Sequence, residues 1–166
     1  MLEQKRKNIR LHGFDYGQAG GYFVTICTAS RKCLLSHVIP GNKFVSADIQ
    51  LTELGHIVDG MLHETSLRTG IRLSDYVIMP NHIHMILHIP MGGTGHTIGE
   101  YVGMFKSLTL YHWRGICNRE GRVMGNVWQR NYYEHVLRNE EDYLEKLQYI
   151  CENPDAWVQD DLYRTE

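Results

Sequence analysis

The 166-residue chain has no membrane-length apolar run, no closely paired cysteines and almost no net charge. No hydrophobic stretch approaches the roughly 20 residues that a helix needs to cross a bilayer. The chain opens Met1-Leu-Glu-Gln-Lys-Arg-Lys7, with no apolar signal core. A soluble cytoplasmic protein with no membrane partner is therefore expected. Cys27, Cys33, Cys117 and Cys151 form no CxxC spacing, which argues against zinc-finger chemistry and predicts free, mostly buried thiols. The glycine-rich stretch 90–97 is not followed by Gly-Lys-Ser/Thr, so it is no phosphate-binding P-loop. Repeats, low-complexity segments and linkers are absent too, which predicts one domain over residues 1–166. At 43% hydrophobic and 22% charged, the composition is that of an ordinary globular protein.

The net charge of −2 hides a division. Residues 1–138 hold 15 Lys and Arg against 10 Asp and Glu, whereas residues 139–166 hold 2 against 9. A basic body with an acidic C-terminal segment is compatible with a phosphate-binding face. Its cations gather at Lys5, Arg6, Lys7 and Arg10, and at Lys106, Arg114, Arg119, Arg122, Arg130 and Arg138.

The most distinctive segment is Met79-Pro80-Asn81-His82-Ile83-His84, inside an apolar run. Side chains of a strand alternate between its faces, so His82 and His84 project side by side while Ile83 points the other way. A buried imidazole needs a hydrogen-bond partner or a ligand. Two on one face make two-thirds of a facial metal site. Pro80 and Asn81 just before them mark a kink or edge.

Residues 21–28, 71–78, 81–89 and 126–137 read as strands, with a weaker strand signal at 44–50. Apolar spacing predicts helices over 51–67, capped by Thr52 and stopped by Gly70, and over 98–114. A third helix opens at Asn139 with three acids in its first turn and is expected to end at Asn153-Pro154. The order predicts an α+β fold: a ferredoxin-like βαββαβ antiparallel sheet with helices on one face, plus a C-terminal helix. On that last helix Tyr149 and Asn153 stand four apart and share a face, so a phenol and an amide could meet the histidines. By pattern alone, core packing for the tyrosine and a helix stop for the asparagine are the stronger readings.

Three motifs occur in sequence: Met79 to His84, Trp128-Gln129-Arg130-Asn131-Tyr132-Tyr133-Glu134-His135, and Tyr149-Ile150-Cys151-Glu152-Asn153-Pro154. Together they resemble the single-tyrosine HUH (IS200-like) transposases, and most of all the REP-associated tyrosine transposases. Tyr22-Phe23-Val24-Thr25 and Phe105-Lys106-Ser107 resemble the opening strand and second helix of that family. The resemblance spans about residues 20–155.

It implies the same ferredoxin-like fold, now with the C-terminal helix as carrier of the nucleophile. It also implies that His82, His84 and Asn153 hold a divalent metal, Mg²⁺ or Mn²⁺, and that Tyr149 is the nucleophile. Many relatives carry Gln where this chain has Asn153, one methylene shorter. Tyr132, Tyr133 and Tyr143 compete for the nucleophile's place. The implied activity is cleavage and rejoining of single-stranded DNA through a 5′-phosphotyrosine, at hairpin-flanked sites, in a nucleoid-associated bacterial protein. Lys106, Trp128, Arg130, Tyr132, Tyr133 and Arg138 are the candidate contacts to single-stranded or hairpin DNA. Glu134 and His135 have no role assigned beyond support of the site. Monomer and homodimer both fit the resemblance. Two other classes stay open: a non-catalytic single-strand or hairpin-binding module on this fold, and an unrelated metal hydrolase using the two histidines.

Overall fold

Aromatic and β-branched residues from Gly20 to Cys27 form the central strand β1. This computed structural model describes residues 18–158, so the Lys5 to Arg10 cluster lies outside the described residues. Then come β2 (Ser36–Ile39), β3 (Asp48–Leu51), α1 (Glu53–Thr69), β4 (Arg72–Met79), β5 (His82–Ile89), α2 (Ile98–Arg119), β6 (Tyr133–Leu137) and α3 (Glu140–Val158). The main sheet has the order β4-β5-β1-β6 with every neighbour antiparallel, and β2 pairs with β3 in a separate hairpin. Setting that hairpin and α3 aside leaves βαββαβ with the first strand inside the sheet, which is the expected ferredoxin-like arrangement.

The two faces of this sheet are covered differently. Tyr22, Val24 and Ile26 of β1 and Ile83, Met85, Leu87 and Ile89 of β5 pack with Leu54, Val58 and Leu62 of α1 and Tyr101, Val102 and Phe105 of α2. The alternate residues Phe23 and Ile86 pack on the other face with Val77, Met79, Ile150 and Trp157. So α1 and α2 lie on one face and α3 on the opposite one. Thr52 caps α1, its hydroxyl accepting from the Gly55 amide at 3.0 Å, and Gly70 ends that helix at φ 69°. Gly55 is needed because a Cβ there would stand 2.0 Å from the Leu35 carbonyl oxygen.

Four expectations need correction. The last strand begins at Tyr133 rather than Asn126. Trp128 makes only an isolated bridge to Thr28, and the Lys106 ammonium donates to the carbonyls of Gln129, Arg130 and Asn131 at 2.8, 3.3 and 3.5 Å, holding the segment out of the sheet. The second helix runs five residues further, to Arg119. Asn153-Pro154 does not stop α3, because continuing to Val158 buries Trp157 to 5% exposure against the sheet. Of the free cysteines only Cys117 is buried, Cys27 and Cys33 are half-buried, and Cys151 is exposed.

Candidate active site

Strand β5 sets the site. In its register His84 stands between Val77 of β4 and Thr25 of β1, and His82 between Met79 and Cys27. The two rings are 4.5 Å apart between centroids. Each is oriented through its inner nitrogen: His82 Nδ1 lies 2.7 Å from Asn81 Oδ1, and His84 Nδ1 lies 2.8 Å from Thr25 Oγ1. Since an amide oxygen only accepts, His82 carries its proton on Nδ1, which puts the lone pair on Nε2. Burial, and then the neighbouring His82, push the His84 pKa down to about 3, so that ring is neutral.

Helix α3 is pinned over this face at its first turn. Asn139 Oδ1 accepts from the Asp142 amide at 2.8 Å, and the Asp142 carboxylate meets His135 Nε2 at 2.9 Å. That gives His135 a role: it fastens α3 to β6. Tyr143 adds a second tie by donating to Asp75 Oδ2 at 3.0 Å. From there the helical period brings Tyr149, Asn153 and Trp157 to the histidines. The Tyr149 ring lies 5.0 Å from His84 and 6.0 Å from Phe23, which itself stacks on His84 at 5.3 Å. Trp157 lies 6.0 Å from His82.

Thr25, Cys27, Arg31, His82, His84, Tyr149, Asn153, Ala156 and Trp157 line one cavity of about 330 Å³. Tyr149 is 49% exposed there, and Asn153 is 8% exposed. Among the described residues no group of three or more His, Cys, Asp or Glu is placed to hold an ion. The donor set here is different: two imidazoles and a buried amide. It fits a divalent cation, because both rings are held from Nδ1 in the manner of metal-bound histidines. An amide oxygen is an acceptable third ligand for a hard ion.

The competing tyrosines are placed elsewhere. Tyr143 lines a separate cavity with Arg72, His88 and Arg138, and its bond to Asp75 raises its pKa. Tyr132 donates to Glu134 Oε2 at 3.2 Å and packs against the α1/α2 core, which makes Glu134 its acceptor. Tyr133 pairs with Thr25 in the sheet, so it lies on the site face one strand beyond, half exposed. Trp128 packs 5.5 Å from Phe105, with its buried indole nitrogen unpartnered among the described residues. Lys106 directs its ammonium at carbonyls, while Arg130 and Arg138 are exposed.

Sequence reasoning missed Thr25, Asn81, Phe23 and Arg31. Thr25 and Phe23 become visible only once β1 is paired with β5 in register. Asn81 reads from sequence only as the mark of a kink or edge, although it adjoins the first histidine. Nothing in the sequence marks Arg31.

The fold and site define a class: a ferredoxin-like α+β protein with a paired-histidine cavity between its sheet and a C-terminal helix. The family model described as "Transposase IS200 like" matches residues 42–153, and the chain belongs to that family. It is thus a DNA-processing enzyme of the transposase class. An uncharacterized protein of Haemophilus influenzae is 35% identical over 178 aligned residues, 95% of this chain and 93% of that protein. A REP-associated tyrosine transposase of Escherichia coli is 31% identical over 90 residues, 52% of this chain and 47% of that protein. The solved structure of a REP-associated tyrosine transposase bound to a REP hairpin shares the fold, with a TM-score of 0.61 at 20% identity over 89% of this chain and 73% of that one. Among the described residues no helix is long and apolar enough to cross a membrane.

Proposed function

We propose that the protein cleaves and rejoins single-stranded DNA at hairpin-flanked sites through a 5′-phosphotyrosine intermediate on Tyr149. The observation that carries this reading is the meeting of Tyr149, His82, His84 and Asn153 in one cavity, with the Tyr149 and His84 rings 5.0 Å apart. All four side chains come from one chain, so the reading does not require the homodimer.

His82, His84 and Asn153 would hold Mg²⁺ or Mn²⁺. Such an ion, when bound, supplies Lewis-acid polarisation of a phosphate oxygen. The remaining roles fall to the chain. Thr25 and Asn81 fix the two imidazoles from behind. Phe23 and His84 hold the Tyr149 ring between sheet and helix. The Tyr149 oxygen forms the new bond to phosphorus and the P–O3′ bond breaks. The phenolic proton leaves to solvent, and the departing 3′ oxygen takes one up. A 3′-OH can reverse the step, because one phosphodiester has been exchanged for another and no nucleotide cofactor is consumed.

An unpaired strand suits this site, since its bases can stack on aromatics and its phosphates can reach cations. Tyr133 is the aromatic best placed for stacking, on the site face beside Thr25. Arg130 and Arg138 are the exposed candidates for phosphate contacts. Trp128, Tyr132 and Lys106 would support the DNA-facing segment 128–133 from beneath. The likeness to a hairpin-bound transposase supports hairpin DNA as the partner.

The test is covalent trapping. Labelled hairpin-bearing single strands are incubated with the protein and Mn²⁺ or Mg²⁺ and run on a denaturing gel. A labelled protein band is expected from wild type, and none from Tyr149→Phe, from His82→Ala or after chelation. Tight binding that survives Tyr149→Phe, with no band from wild type, would instead establish a binding module.

A further inference from the structure

We propose that Arg31 is a further catalytic residue of this site: its guanidinium binds the non-bridging oxygens of the phosphate that Tyr149 attacks. This rests on the Tyr149 reading above. Among the described residues Arg31 is the one permanently charged side chain lining the cavity with His82, His84 and Tyr149, and no described carboxylate lines it. Among the described residues its guanidinium has no ion-pair or hydrogen-bond partner. Arg31 is therefore the fixed positive charge on hand for a phosphate whose equatorial oxygens must be stabilised during transfer. A planar guanidinium matches two of those oxygens at once.

The backbone sets Arg31 apart more sharply. Ser30 and Arg31, at φ 56° and 53°, are the only non-glycine residues with positive φ among those described. L-residues in that region persist only where their surroundings over-determine them, and such sites cluster where function needs a fixed geometry. Here the surroundings are the turn that leads into His82. The Thr28 amide donates to the Asn81 carbonyl at 2.9 Å, and the Thr28 hydroxyl shares its proton between the Lys32 and Asn81 carbonyls at 2.8 and 3.0 Å. The Leu34 and Leu35 amides donate to the Pro80 carbonyl at 2.9 and 3.0 Å. Asn81 Nδ2 donates to the Arg31 carbonyl at 3.3 Å, while Oδ1 of the same side chain receives His82 Nδ1–H. Asn81 is 1% exposed and couples the two turns, so the strained residue and the first histidine are fixed to each other. A structural turn at this place could use glycine without strain. A strained arginine facing the cavity is explained by what its side chain does there.

The experiment compares single-turnover formation of the Tyr149 adduct by wild type, Arg31→Gly, Arg31→Gln and Arg31→Lys, at saturating Mn²⁺ and single-stranded DNA. Arg31→Gly keeps the left-handed turn and relieves its strain, so its thermal midpoint should equal or exceed that of wild type. Its adduct rate should nevertheless fall about 100-fold or more, the scale of losing one charge-stabilising donor. Arg31→Gln should behave alike, and Arg31→Lys should fall between. A second substrate carries a neutral methylphosphonate at the scissile position. If Arg31 neutralises the phosphate, the preference of wild type for the charged substrate collapses in Arg31→Gly. An adduct that depends on Tyr149 but forms at the wild-type rate in Arg31→Gly overturns this proposal alone, as does an unchanged substrate preference. A wild-type adduct indifferent to Tyr149→Phe overturns the site reading, and this proposal with it.

Discussion

Strand β5 serves two masters on its two faces. Ile83, Met85, Leu87 and Ile89 point toward α1 and α2, and each is 2% exposed or less. Their neighbours His82, His84 and His88 point toward α3 with Ile86 among them. One face removes apolar area from water and fills space. The other interrupts a smaller apolar cluster with imidazoles, an amide and a half-exposed phenol. The pleat separates the two requirements at every second residue. Stability can therefore reside on the α1/α2 face while the α3 face carries polar groups that a packed core would not accept.

The largest effect that would break this division comes from Ile83, which lies between the two histidines and is fully buried. Ile83→Ala should destabilise the protein by about 2–4 kcal/mol, as methylene removal and the residual cavity predict. Read by urea unfolding and then by trapping at low temperature, the variant should still form adduct at close to the wild-type rate per folded molecule. A rate lost in proportion to stability would mean that the two faces are not independent.

The next effect is on pH dependence. In protein freed of metal by chelation, His84 titrates at about 3, well below the roughly 6.5 of an unfolded histidine. Between those values the unfolded chain binds the proton and the folded one does not. The stability linked to His84 is therefore complete above about pH 6.5 and falls as the pH drops toward 3, by up to about 1.4 kcal/mol per pH unit. His84→Gln should flatten that part of the profile. Bound divalent ion should also protect wild type there, because it competes with protons for the same nitrogens. Urea midpoints between about pH 7 and 4 measure both. An identical slope in His84→Gln would show that the buried face does not hold His84 neutral.

What the sequence makes legible follows the same division. The apolar face is periodic, so the four sheet strands and the first two helices can be read from spacing, and α1 carries its own cap and stop at Thr52 and Gly70. His82 and His84 are legible because period two forces them onto one face. Tyr149 and Asn153 are legible on one helix face, but that this face meets the histidines depends on tertiary ties such as His135 to Asp142. The β2–β3 hairpin is nearly silent, since its four-residue strands offer too few positions to establish a period. Pro154 misleads because local propensity favours a stop, whereas burial of Trp157 favours continuation. Arg31 is silent for a different reason: what sets it apart is a backbone angle and a hydrogen bond from a turn 50 residues away.

The smallest effect tests the comparison most finely, at an apolar residue on the functional face. Phe23 is 5% exposed, stacks on His84 and meets the edge of Tyr149, while its neighbour Val24 is fully buried on the other face. Phe23→Leu keeps an apolar side chain in place and should cost under about 1.5 kcal/mol. It removes the flat ring that orients both His84 and Tyr149, however, and an attacking group displaced by a fraction of an ångström loses rate. Adduct formation should slow by roughly 3- to 10-fold, less than for loss of a reacting group because the ring supplies alignment alone. Val24→Ala should do the reverse, with a larger loss of stability and an unaltered rate in the folded protein. If instead Phe23→Leu loses stability with no change in rate, Phe23 belongs energetically with the packing face. The functional face would then be narrower than the pleat allows, confined to β5 and α3.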